Sequence, residues 1–90
     1  MIRLIHEVED RTGLEGTAAV RLAQDVALLR AVARESVRSR ATAGALELYA
    51  GLSRSQAHRI MARVRDAGVM DLASVERPGV PCRAAAEARR

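Results

Sequence analysis

Between Ser53 and Arg63 the chain reads SRSQAHRIMAR, and its polar members carry the donors and acceptors that recognise nucleic acid. Arg54 and Arg59 each offer a guanidinium fork that matches O6 and N7 of guanine. Gln56 offers the amide pair that matches N6 and N7 of adenine, each good pairing giving about 1–3 kcal/mol of discrimination. Ser53, Ser55 and Arg63, with the start of the helix itself, are of the kind that hold phosphates and set register. His58 lies among them and can touch a base or a phosphate, although a lone surface histidine is more often incidental.

The spacing around these residues says how they are held. Gly51 stands where two helical patterns meet, and a residue without Cβ takes the left-handed conformation that ends one helix and begins a corner. Leu52 supplies the apolar plug of that corner. Ser53 with Gln56 three residues on makes a capping box, which fixes the start of the second helix. Ala57, Ile60, Met61 and Val64 then recur at helical spacing and point inward, leaving Arg54, Ser55, Gln56, His58, Arg59 and Arg63 outside. Gly68 marks the stop.

The stretch Ala43 to Val69 resembles the helix-turn-helix of bacterial DNA-binding regulators. The resemblance makes Gly51 the turn glycine, Leu52 the turn hydrophobe and Ser53-Arg54-Ser55-Gln56 the edge that enters the major groove. It covers between a quarter and a third of the chain. Glu47 stands four positions before the turn glycine, where that family usually has a small residue, with Ala45 and Ala50 as small neighbours.

The charge is placed to match. All fifteen basic residues are arginine; residues 1–52 are balanced at seven arginines and seven acids, and the whole formal excess of +4 lies in residues 53–90. Such a face attracts phosphate backbones, although on most helices of mixed charge it is ordinary solvated surface. Cys82 is alone and His6 and His58 are the two histidines, so a metal site, a cofactor or a histidine-dependent triad is not expected. Glu7, Glu9 and Asp10 cluster without a nucleophile or phosphate loop beside them, and no enzyme is read. No apolar run approaches the roughly 20 residues of a membrane span, and MIRLIHEVED turns acidic too soon for a signal peptide; the expected compartment is the cytoplasm of a bacterium or its phage.

In chain order, residues 1–16 read as a short helix or an arm, with Ile2, Leu4, Ile5 and Val8 as its inner stripe. Residues 17–38 read as the longest helix, free of glycine and proline. Its seam of Leu22, Val26, Leu29 and Ala33 steps by three and four as in a coiled coil, and is read as the interface of a homodimer. With no Phe or Trp and a single Tyr the core is thin, and partner burial is the usual remedy. The same seam serves equally well as intramolecular core. Residues 42–68 form the helix-turn-helix, with Thr42 as a cap. Tyr49 reads as a packing residue, since binding single strands usually needs several aromatics.

Residues 12–26, TGLEGTAAVRLAQDV, also echo residues 50–64, AGLSRSQAHRIMARV, pairing Gly13 with Gly51, Leu14 with Leu52, Thr17 with Ser55, Ala19 with Ala57, Arg21 with Arg59, Leu22 with Ile60 and Val26 with Val64. The echo suggests a helix, a glycine corner and a longer helix, made twice.

After Gly68, Val69, Leu72 and Val75 with a Pro78-Gly79 turn suggest a small two-stranded wing over residues 69–84, with Arg77 at its tip and Arg83 on the return strand, and residues 85–90 suggest a frayed tail. Here the chain resembles the winged-helix regulators of the MarR and IclR type, although Pro81 interrupts the return strand. The expectation is a mainly α domain of about four helices, followed either by a small C-terminal β wing or by an extended tail in which Arg83, Arg89 and Arg90 track phosphates. It would bind double-stranded DNA as a homodimer, acting as a transcriptional repressor or a plasmid or phage control protein. The alternative is a small helical accessory protein whose exposed helix binds a protein partner.

Overall fold

The computed structural model describes residues 1–36 and 40–74. Four helices follow one another: α1 (Ile2–Thr12), α2 (Gly16–Glu35), α3 (Ala43–Ala50) and α4 (Arg54–Asp66), and a single 3-10 turn, Met70–Ala73, closes the described chain. No strand occurs among the described residues. None of these helices is long and apolar enough to cross a membrane.

The spine is α2. It packs against α1, α3, α4 and the 3-10 turn, while α3 and α4 pack on each other. Its alanine-rich sequence permits this, because small side chains let several neighbours approach one helix. Ala19, Ala23, Val26 and Leu29 are completely buried, and Leu22, Val32 and Ala33 nearly so. Leu4 and Val8 from α1, Ala45 and Leu46 from α3, and Ala57, Ile60 and Val64 from α4 complete the core, with Val69 and Ala73 sealing its end.

Two expectations are corrected here. The seam Leu22, Val26, Leu29 and Ala33 is not a surface between subunits; all four side chains are buried in the chain's own core. The reason is economy of apolar surface: without large aromatics, the one long apolar stripe is consumed by the helices that surround it. The start of the wing is also replaced. Val69 and Ala73 are buried and Leu72 half-buried in a 3-10 turn, the i, i+3, i+4 pattern of a helical turn rather than the alternation of a strand. Val75, Arg77, Pro78, Gly79, Val80 and Arg83, and the tail 85–90, lie outside the described residues.

Other boundaries hold. The first helix ends at Thr12 and docks through Leu4 and Val8, although Ile2, expected inside, is 71% exposed. The long helix begins at Gly16 and gives way to extended backbone at Ser36. Thr42 Oγ1 accepts the Ala45 N–H and starts α3. Glu47 points to solvent while Ala45 and Leu46 face the core, so the acidic residue does not obstruct the corner.

The exit from α4 is clamped. Val69 N–H donates to Val64 O and Gly68 N–H to Arg65 O, the paired bonds of a Schellman ending. Arg11 donates through both terminal nitrogens to the Asp71 carboxylate at 2.9 Å and also to Gly68 O, and Arg30 Nε donates to Leu72 O. The 3-10 turn is thus tied to both α1 and α2.

Two tests follow from this packing. Leu46→Ala removes a fully buried side chain and should cost about 2–5 kcal/mol, whereas Leu48→Ala, two residues on and 74% exposed, should change stability by less than about 0.5 kcal/mol in urea unfolding. The hydrogen-bonded Arg11 guanidinium holds the Asp71 carboxyl below the usual carboxylate range. A depressed folded-state pKa contributes stability that is present above the unfolded value and lost as pH falls through the folded one. The difference in stability between the native protein and Asp71→Asn should therefore be full at neutral pH and shrink below about pH 4.

Candidate nucleic-acid interface

The corner that positions α4 is built as its local sequence dictates. Gly51 closes α3 at φ 67, a left-handed conformation that side chains with a Cβ rarely adopt, and Ser53 follows in extended backbone. The capping box is complete: Ser53 Oγ accepts the Gln56 N–H at 3.2 Å, and Gln56 Oε1 accepts the Ser53 N–H at 3.0 Å. The first turn of α4 is therefore held rigidly where its polar side chains begin. Leu52 is half-buried at the corner, and Ala57, Ile60 and Val64 anchor the back of the helix, with Met61 partly covered.

On the front, Arg54, Ser55, His58 and Arg59 are all exposed. Ser55, Arg59 and Ala62 follow one another at i, i+4 and i+7, the side directly away from the buried stripe. Arg54, His58 and Arg65 line one flank. Arg54, Arg59 and Arg65 enter no ion pair among the described residues, so their guanidinium groups are available to an anionic partner. Asp66 is the one acid on the helix.

Three of the expected contact residues have other duties: Ser53 Oγ accepts the Gln56 N–H, which leaves its hydroxyl hydrogen to donate. Gln56 gives one lone pair of its carbonyl oxygen to the capping box, which fixes the orientation of its amide and leaves the second lone pair and the NH2 group for a partner. Arg63 turns toward α2, where Nε and Nη2 donate to the two Asp25 oxygens at 2.9 and 3.3 Å. Asp25 is a buried acid in the seam of α2, and Arg63 supplies the cation that a carboxylate needs there. Arg63 thus sets the position of α4 against the spine. Arg77 and Arg83 lie outside the described residues.

Asp25 was missed in the sequence, and it left a signal. An acid between Leu22 and Val26, inside an otherwise apolar stripe, demands a buried partner, and Arg63 is the arginine opposite. Arg65, beside Arg54 and His58, is the other contributor that the spacing could have supplied.

No group of three or more His, Cys, Asp or Glu side chains with the geometry to hold a metal ion occurs among the described residues. A groove of about 660 Å3 lies between α2 and the end of α4, bordered by Leu14, Thr17, Ala18 and Arg21 on one side and Asp66 and Ala67 on the other. Comparison with known proteins returned no match: no family model, curated protein or solved structure matches the chain.

Proposed function

We propose that this protein binds double-stranded DNA through the outward face of α4, as a transcriptional regulator of repressor type. The observation that carries the reading is the stripe Arg54, Ser55, His58 and Arg59: solvent-exposed, without acid partners among the described residues, and set on a helix whose start is capped and whose back is locked to α2. Rigid placement matters because a base-reading side chain discriminates only when its angle and distance are set before contact. Arg59, at the centre of the outer face, is the residue for a guanine edge. Arg54, Arg65 and Ser55 suit phosphates on either side, and the helix start adds the partial positive charge of its N–H groups. Ala62 keeps the middle of the face low, which allows the helix to approach the groove floor.

A second reading has its own observation. Leu48 is 74% and Tyr49 43% exposed on α3, an apolar pair that suits a protein partner, including a second copy of the chain. With the α2 seam consumed internally, a homodimer would be built on this surface.

Fluorescence anisotropy separates the two. On a duplex selected from a random pool, Arg59→Ala should weaken binding by about tenfold to a hundredfold, as expected for one lost guanine pairing, while Leu48→Ala with Tyr49→Ala leaves the intrinsic affinity unchanged. Indifference to Arg59→Ala, with loss of a captured protein partner on changing Leu48 and Tyr49, would establish the second reading instead.

A further inference from the structure

The two halves of the described chain repeat one design. Gly13 and Gly51 each close a helix in the left-handed conformation, and α2 and α4 each begin three residues later, at Gly16 and Arg54. Buried positions coincide in the same register: Val8 with Leu46, Ala19 with Ala57, Leu22 with Ile60, Val26 with Val64. The tertiary structure adds a relation that sequence alignment alone lacks. The ion pair that joins α2 to α4 connects Asp25 with Arg63, 38 residues apart, and these are themselves equivalent positions of the two halves. Equivalent residues of the two halves thus meet where α2 packs on α4.

The outward chemistry is kept as well. Thr17 holds the place of Ser55, Arg21 that of Arg59 and Gln24 that of Ala62, so α2 presents a hydroxyl, a guanidinium and a carboxamide at i, i+4 and i+7. All three are exposed and none bonds to another described residue. Unlike Gln56, whose oxygen accepts the Ser53 N–H, Gln24 makes no side-chain bond to another described residue. Thr17 and Arg21 border the open groove beside α4, so the surface is not obstructed. The acids nearby are Asp25, neutralised by Arg63, Asp66 across the groove, and Glu15 just before the helix. The field is therefore weaker than on α4, though the only exposed charge on the first three turns is positive.

We propose that the stripe Thr17, Arg21 and Gln24 on α2 is a second contact for duplex DNA, the counterpart in the first half of the chain to the α4 face. The proposal rests on the reading of α4 as a DNA-binding helix. Two contact stripes on one chain give it a built-in pair of reading helices.

The test is binding of the full chain to a fluorescent duplex at several salt concentrations, with Arg59→Ala, Arg21→Ala, Arg21→Lys and, as a control, the exposed α1 residue in Arg3→Ala. Arg21 has no ion-pair or side-chain hydrogen-bond partner among the described residues, so its truncation should leave the thermal midpoint in place. Arg21→Ala should weaken binding about fivefold and lower the salt dependence by about one counterion, Arg21→Lys should keep the salt dependence, and Arg3→Ala should match the native protein. Native affinity in Arg21→Ala alongside loss in Arg59→Ala would overturn the second contact and leave the α4 face standing. Equal losses in Arg3→Ala and Arg21→Ala would also overturn it, since any arginine would then serve. No binding by the native protein at low salt would remove both contacts.

Discussion

In a chain without Phe or Trp, the helices cohere only if their backbones come close, and everything else in this structure depends on that constraint. Completely buried Ala19, Ala23 and Ala57 mark the places where close approach is achieved, and Leu22, Val26, Leu29 and Leu46 fill the space between them. Alanine contributes little apolar area on its own, so the benefit comes through the neighbours it admits. That is why α2 lies at the centre and why its seam is unavailable to a second subunit.

Close packing of small side chains holds helices together but sets their rotation and sliding weakly. The Asp25–Arg63 pair supplies the missing specificity. A carboxylate with an 11% exposed side chain is costly without a cation, and the arginine that satisfies it comes from the helix whose outward face matters. The capping box at Ser53 fixes one end of α4, the Schellman ending fixes the other, and the ion pair fixes its position against the spine. Arg11 and Arg30 then hold the exit turn in place. The side chains on the front of α4 enter no ion pair among the described residues, which is the condition for their working on a partner.

What was legible in the sequence was local. Gly51, the Ser53–Gln56 box, the Thr42 cap and the helical spacing of Ala57, Ile60 and Val64 each depend on residues within a turn of one another, and each appears as its spacing implies. The readings that failed needed a tertiary partner. An apolar seam such as Leu22–Val26–Leu29–Ala33 states that something covers it without stating what. Arg63 looks like any outward arginine until Asp25 is placed opposite it. Val69, Leu72 and Val75 fit a strand as well as a turn, and Ala73, buried beside Val69, together with the Arg11 and Arg30 clamps selects the turn. Gln56 was given two roles that draw on the same oxygen, and the capping box uses one of its two lone pairs.

The most direct test of the account is a titration of isotope-labelled protein with a selected duplex, followed by amide and arginine side-chain NMR shifts. The account predicts saturable shifts concentrated at Arg54, Ser55, His58, Arg59 and Ala62, with the Arg63 Nε–H signal retained because its bond to Asp25 persists in the complex. Shifts confined to Leu48, Tyr49 and their surroundings, with the front of α4 silent, would contradict it.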